Sequence, residues 1–150
     1  MKRSSIRNIL VPIDFSKMSI GAIKTARQLA QRFPATIHIA HVRRVDFATA
    51  FSAPSPPIAP FPLMTYEQDG EKRIVKELNM LARESGISSG VCHVLGGAPP
   101  FDEVCHVAEK IHADLVVMPT HGRTGLRHVF LGSTAERVVR HATCPVLVVR

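Results

Sequence analysis

Two short segments of the sequence carry residue types that suit the binding of an anionic ligand. The first ends in Asp14, a carboxylate that directly follows the apolar run 9–13. The second, residues 119–133, combines glycines with a side-chain hydroxyl close to a predicted helix start, namely Gly122, Gly125, Gly132 and Ser133, and the hydroxyl of Thr134 follows directly. Glycines let backbone N–H groups approach an anion, and the first N–H groups of a helix are unpaired and carry partial positive charge. The predicted chemistry is the holding of a phosphate group.

Charge near the second segment supports this interpretation. The chain carries a formal net charge of +7, and between His121 and His141 four arginines face the single acid Glu136. Arg123 and Arg127 would supply positive charge to the loop. Because no basic helix with interleaved aromatic residues and no zinc-finger spacing is present, nucleic acid is a minor interpretation, and a small anionic ligand is favoured.

Structural roles compete with the binding roles. Ser133 and Glu136 fit a capping box, in which the serine caps the helix and the glutamate reaches back. Asp14 would alternatively cap the first helix or pair with a lysine. His121 would contact a phosphate or bond only to loop carbonyls. These alternatives stay open at the level of sequence.

Signatures of enzymes and metal sites are weak. The sequence has no P-loop, no G-x-S-x-G and no cysteine beside an evident base, so we assign no catalytic residue. His38 and His41 on one strand would approach His93 on the next, but a surface histidine cluster is favoured over a metal site. The three scattered cysteines, at 92, 105 and 144, are expected to be reduced thiols that pack as small apolar residues.

The elements that position these residues alternate between strands and helices. Apolar, β-branched runs predict five strands, and residues at helical spacing predict four helices between them. Strands that are apolar throughout indicate a parallel sheet with helices on both faces, which is an α/β fold. The length of 150 residues predicts a single domain. No apolar run is long enough to cross a bilayer, and we see no signal peptide.

One stretch interrupts this alternation. Residues 46–66 show no period, and five prolines fall between positions 54 and 62. Proline fixes φ and removes a backbone donor, so this sequence predicts a long irregular insertion. Because it also carries many apolar residues, we expect it to pack against the domain, a ligand or another subunit.

Several motifs, taken in order, resemble the universal stress protein family along essentially the whole chain. They are the opening segment 9–14, His41-Val42, Gly97-Ala98-Pro99, the strand 113–118, the loop 121–126, the helix start 132–138 and the ending 144–149. The resemblance implies a single open five-stranded parallel sheet of the Rossmann-like nucleotide-binding type, with strand order 3-2-1-4-5. It also implies that Asp14 and the loop 119–133 lie on two sides of one crevice.

The resemblance further implies a set of ligand contacts. Members that bind ATP carry Gly, two residues, Gly, nine residues, then Gly-Ser or Gly-Thr. Gly122 and Gly132-Ser133 keep the second part of this pattern, whereas Pro119 replaces its first glycine. By resemblance, Asp14 would contact the ribose or adenine, Val42 the adenine edge and Met118 the sugar. The expected binding set is Pro12, Ile13, Asp14, Val42, Met118, Pro119, His121, Gly122, Arg123, Gly132, Ser133 and Thr134.

Three functions are compatible with this sequence. The favoured function is that of a cytoplasmic stress-response or regulatory protein. It would bind ATP or a related adenine nucleotide, with Mg²⁺ as the accompanying ion. A dimeric interaction protein without nucleotide is favoured by Pro119, and a slow ATP hydrolase comes third. In either of the first two, the final strand, Val146–Val149, is expected to form a homodimer, because an apolar edge strand exposes unpaired backbone groups.

Overall fold

The fold is a parallel β-sheet with helices on both faces. The computed structural model describes residues 5–43, 63–88, 90–122 and 131–150, and for 63–69 it describes the backbone alone. Along the described chain the elements are β1 (Asn8–Ile13), α1 (Lys17–Arg32), β2 (Thr36–Val42), α2 (Leu63–Glu84), β3 (Val91–Leu95), α3 (Pro100–Lys110), β4 (Leu115–Pro119), α4 (Ser133–His141) and β5 (Val146–Val149). The strands form one sheet of order β3-β2-β1-β4-β5, which confirms the predicted order and fold class.

Strand β1 lies at the centre of the sheet and is apolar on both faces. Ile9 pairs with Ile37 of β2 on one side and with Leu115 of β4 on the other, all in parallel. Ile9, Leu10 and Val11 are completely buried. Burying one such side chain contributes about 1.5–3 kcal/mol, so this strand anchors the two halves of the sheet to each other.

Two hydrophobic cores cover the two faces of the sheet. On one face, α1 and α2 bury residues such as Ile23 and Leu78 against the odd-numbered side chains of β1. On the other face, α3 and α4 bury Val104 and Val138 against Leu10 and its neighbours. Helices α1 and α2 therefore cover one side of the sheet, and α3 and α4 cover the other, each through an apolar face at helical spacing.

Asp114 joins the starts of β1 and β4. Its Oδ2 accepts hydrogen bonds from the backbone N–H groups of Arg7, at 2.8 Å, and Asn8, at 3.0 Å. These two bonds, and then the nearby Arg7 charge, hold the pKa of this carboxyl below its usual value. The bonds fix the register of the two strands at the amino edge, and thereby the relation of their carboxyl ends.

The proline-rich segment is shorter than the predicted range of 46–66. Helix α2 begins at Leu63, so residues 63–66 are helical rather than irregular. The physical reason is that Pro62 is the last proline of the segment, and proline just before or at the first turn of a helix costs no hydrogen bond. The rest of the predicted insertion lies outside the described residues.

The three cysteines are thiols that pack beside the cores. Cys92 lies against the core under α1 and α2, whereas Cys105 and Cys144 lie against the other one. Burial raises the pKa of each thiol and is the largest cause of the shift. A raised pKa leaves less reactive thiolate, as expected for residues that serve packing.

Candidate functional site

A cavity of about 380 Å³ opens at the carboxyl ends of β1 and β4 and reaches the start of α4. It lies at the point where the sheet extends from β1 in both directions, which is where open α/β sheets bind ligands. Its lining includes eleven of the twelve expected binding residues: Pro12, Ile13, Asp14, Val42, Met118, Pro119, His121, Gly122, Gly132, Ser133 and Thr134. Arg123 lies outside the described residues.

Asp14 occupies the turn between β1 and α1. Its Oδ1 accepts a hydrogen bond from the backbone N–H of Ser16 at 3.0 Å. Ser16, rather than Asp14, is the N-cap of α1, because its hydroxyl accepts the N–H of Ser19 at 3.2 Å. The alternative in which Asp14 caps α1 is therefore wrong. The carboxylate is held by the turn and lines the cavity.

The backbone next to Asp14 adopts an unusual conformation. Phe15 has a φ of 63°, in the left-handed region that costs a residue with a side chain about 1–2 kcal/mol. Its ring lies 4.8 Å from the ring of His41, and His41 Nδ1–H donates to the carbonyl of Ile13 at 2.9 Å. These contacts stabilise a sharp turn that points the Asp14 carboxylate across the crevice rather than along the sheet.

Gly122 lies directly against this carboxylate. A Cβ atom at position 122 would stand 2.6 Å from Asp14 Oδ2, inside van der Waals contact. The two sides of the crevice therefore touch at this point, and the close approach depends on the missing side chain. Gly122, which belongs to the glycine pattern in the sequence, therefore positions Asp14 in addition to standing near the start of the segment 119–133.

Replacing Gly122 with alanine should weaken nucleotide binding by about tenfold or more, the effect of losing one hydrogen bond to a charged group. The added methyl would push Asp14 Oδ2 away and strain the bond to Ser16. Calorimetric titration would measure the change, with Gly21→Ala as the control because a Cβ there meets nothing within 4 Å. Unchanged affinity in Gly122→Ala would contradict a role for the Asp14 position.

The start of α4 differs from the predicted capping box. Gly132 is the N-cap, with φ −70° and ψ 151°, and no side chain caps the helix. Glu136 does not reach back but forms an ion pair with Arg140 at 2.8 Å, one turn further on. The prediction was wrong because Ser133 is already the first helical residue, one position too late to cap. The helix start is therefore left without a side-chain cap.

Apolar residues form the wall of the cavity between β2 and α3. Val42 and Met118 lie there as expected, beside Ala40, Pro100 and Val104. Such a wall suits the faces of a planar, largely apolar ring. Six lining residues were missed in the sequence: Ala40, His41, Pro100, Val104, Thr120 and Ala135. Two of them, Ala40 and Thr120, stand two positions from Val42 and Met118, so strand alternation was the signal that pointed to them.

Of the three histidines predicted to cluster, His38 and His93 pair toward the amino end of the sheet, whereas His41 lines the cavity and does not join them. His38 Nδ1 lies 3.1 Å from His93 Nε2, and His38 Nε2 lies 3.4 Å from Asn8 Oδ1. Because Asn8 Nδ2 donates to the Ile111 carbonyl, its Oδ1 accepts from His38, which makes His93 the donor to His38. Among the described residues, no group of three or more side chains is arranged to hold a metal ion.

Acid should destabilise the protein through protonation of the pair formed by His38 and His93. Burial, and then the neighbouring His93, lowers the pKa of His38 below 6.5, and burial followed by Lys110 lowers the pKa of His93. The unfolded chain therefore binds more protons below pH 6.5, so the free energy of unfolding should fall as pH decreases through that range. Urea unfolding at pH 7.5 and 5.5 would measure this fall.

The variant His93→Gln should show a smaller loss of stability between those pH values. His106→Gln, at an exposed position on α3, serves as the control and should keep the loss seen in the unaltered protein. An identical loss in all three proteins would contradict the assignment.

Comparison with known proteins identifies chains that share this sequence and fold. A family model described as the universal stress protein family matches residues 5–150. A universal stress protein of Methanocaldococcus jannaschii is 35% identical over 144 residues, which cover 96% of this chain and 82% of the relative. Universal stress protein UspA from Lactobacillus plantarum has a solved structure that is 28% identical, with a TM-score of 0.74 over 98% of this chain and 99% of the other.

A further solved structure is a universal stress protein in complex with cAMP. It is 26% identical, with a TM-score of 0.67, and the match covers 98% of this chain and 98% of the other. Within the described residues, no helix is both long and apolar enough to span a membrane.

Proposed function

The chain belongs to the universal stress protein family, and we propose that it is a stress-response or regulatory protein that binds an adenine nucleotide. The observation that carries this proposal is the cavity at the carboxyl ends of β1 and β4, with Asp14 on one side and the start of α4 on the other. A carboxylate suits the hydroxyls of a sugar, whereas an uncapped helix start suits a phosphate.

The phosphate would bind at the first turn of α4. The first backbone bond of this helix runs from the Glu136 N–H to the Gly132 carbonyl, so the N–H groups of Ser133, Thr134 and Ala135 have no partner within the helix. The hydroxyls of Ser133 and Thr134 add donors at the same place. These groups together offer several donors to one phosphate, which supports the binding of the phosphate end there.

The adenine and sugar would occupy the rest of the cavity. The base would lie against the wall between β2 and α3, where the backbone of Val42 would bond to its edge and Val104 would contact its face; both residues line the cavity. Met118 would pack near the sugar, and Asp14 would accept hydrogen bonds from the sugar hydroxyls. A universal stress protein with the same fold has been solved with cAMP, which supports this type of ligand.

ATP is the ligand that we propose, with Mg²⁺ bound through its phosphates. Asp14 is the one carboxylate among the described lining residues, and Mg²⁺ on nucleotides is commonly held by one or two carboxylates together with the phosphates. Because Asp14 is assigned to the sugar hydroxyls and the described lining offers no second carboxylate, the phosphates would be the main ligands of Mg²⁺. The three free thiols support the cytoplasm as the compartment.

A second function is favoured by Pro119. This residue ends β4 at a buried position and has no N–H to offer a ligand, where ATP-binding members of the family carry glycine. A dimeric interaction protein that needs no nucleotide is the function that this substitution favours.

Mass spectrometry of the purified, denatured protein separates the two functions. Release of an adenine nucleotide near one per chain is expected from the proposed function. A protein that releases none, and that also fails to bind added nucleotide, would leave the interaction protein as the better account.

A further inference from the structure

Thr120 is the first residue after β4 and combines burial with a polar side chain. It is 7% exposed and lines the cavity. Its N–H donates to the Val149 carbonyl at 2.9 Å, and its carbonyl accepts the N–H of Gly132 at 2.7 Å. Both backbone groups are therefore occupied by the structure, and the hydroxyl is the group that Thr120 has left for a ligand.

The Thr120 hydroxyl has no hydrogen-bond partner within the described part of the chain. Among the described residues, the side-chain polar atom that is completely buried without a partner is Arg43 Nε, so the Thr120 hydroxyl is open to the cavity that this residue lines. Thr120 follows Met118 by two positions, so strand alternation places its side chain on the face of the sheet that α3 and α4 cover. The hydroxyl is thus an unpaired group on the wall of the cavity beneath α4.

We propose that the Thr120 hydroxyl donates a hydrogen bond to the phosphate group of the bound nucleotide, an inference that rests on the proposed function. The bond from Gly132 N–H to the Thr120 carbonyl holds Thr120 against the N-cap of α4, where the phosphate is placed by the unpaired N–H groups. Phosphate oxygens accept hydrogen bonds, so the hydroxyl acts as the donor.

This role also compensates for Pro119, which stands where ATP-binding members of the family carry the first glycine of their pattern. Pro119 has no N–H, and the N–H of Thr120 is bonded to β5. The end of β4 therefore contributes no backbone donor from these two residues. The hydroxyl supplies one donor at the same strand end, which keeps a phosphate contact in a chain that carries proline at position 119.

The test compares Thr120→Val and Thr120→Ser with the unaltered protein in calorimetric titrations with AMP and with adenosine. Valine has nearly the shape of threonine but no hydroxyl, and serine keeps the hydroxyl. We expect Thr120→Val to bind AMP roughly 10- to 100-fold more weakly, which is the effect of a hydrogen bond to a charged group. Thr120→Ser should stay within about threefold of the unaltered protein, since its donor remains.

Adenosine separates a phosphate contact from a sugar contact. It lacks the phosphate, so its affinity should change by less than about twofold in Thr120→Val, where no charge-assisted bond is lost. Equal weakening of adenosine and AMP would overturn the assignment to the phosphate. If the unaltered protein binds AMP and Thr120→Val binds it with the same affinity, the inference is wrong. The proposed function is then unaffected.

The stability of the nucleotide-free protein gives a second readout. Because the hydroxyl is unpaired there, Thr120→Val should unfold at the same urea concentration as the unaltered protein or at a higher one. A marked destabilisation in Thr120→Val that Thr120→Ser lacks would show a structural role and contradict the inference. If the unaltered protein binds neither AMP nor any other adenine nucleotide, the proposed function fails first.

Discussion

Replacing Gly132 with valine should abolish nucleotide binding. A Cβ at position 132 would stand 3.0 Å from the Thr120 carbonyl oxygen and 3.5 Å from the Cα of His121, both backbone atoms that have little room to move. The backbone dihedral angles of Gly132 are ordinary, so the close approach rather than the conformation requires glycine. Valine adds two further methyl groups, which would force α4 away from the end of β4.

The loss should exceed about 100-fold, because the N–H groups of α4 and the Thr120 contact move together away from the phosphate. Calorimetry with ATP and Mg²⁺ would measure it. Gly21→Val is the matched control, since a Cβ at that helical glycine meets nothing within 4 Å. A Gly132→Val protein that is folded and binds with unchanged affinity would exclude this helix start as the phosphate site.

Replacing Val148 with lysine should convert a homodimer into a monomer. β5 pairs with β4 alone in the described sheet, so its other edge presents N–H and C=O groups to a partner. Leu147 on this strand is 37% exposed, which leaves apolar surface at the same edge. We propose that two copies pair these strands antiparallel about a two-fold axis, an arrangement that closes on itself.

Light scattering at tens of micromolar protein would measure the change in mass. A charged side chain in a four-residue strand would bring two ammonium groups into one short interface, where burial and repulsion both oppose association. Met80→Lys is the matched control, because Met80 is 53% exposed on α2, which packs near β3 at the opposite edge. An unaltered protein that is already monomeric under these conditions would contradict the proposed dimer.

The fold was predictable because each element carries its own signal. The apolar runs of β1 and β4 are bounded by polar or turn residues, and α1 begins at Lys17, directly after its serine N-cap, Ser16. The strand order came from the resemblance, since alternation of strands and helices gives a parallel sheet but no order. Once the order is known, Asp14 and Gly122 must meet across one crevice.

Other features could not be predicted from the sequence, because they depend on a shift of one residue or on tertiary contacts. Ser133 fits a capping box in sequence, yet the helix begins one residue earlier than that motif requires, with Gly132 as the cap. A glycine N-cap leaves no side-chain signal. Likewise, the backbone bonds of Thr120 to Val149 of β5 and to Gly132 join segments that are distant in the sequence. Local patterns do not contain such contacts.

The central claim is that the cavity between β1, β4 and α4 binds an adenine nucleotide, and calorimetric titration of the unaltered protein tests it most directly. With ATP and Mg²⁺ we predict saturable heat with one nucleotide per chain, and adenosine should bind more weakly because it lacks the phosphate that α4 holds. Nucleotide-free protein that gives no heat with ATP and Mg²⁺ at millimolar concentration would contradict the claim.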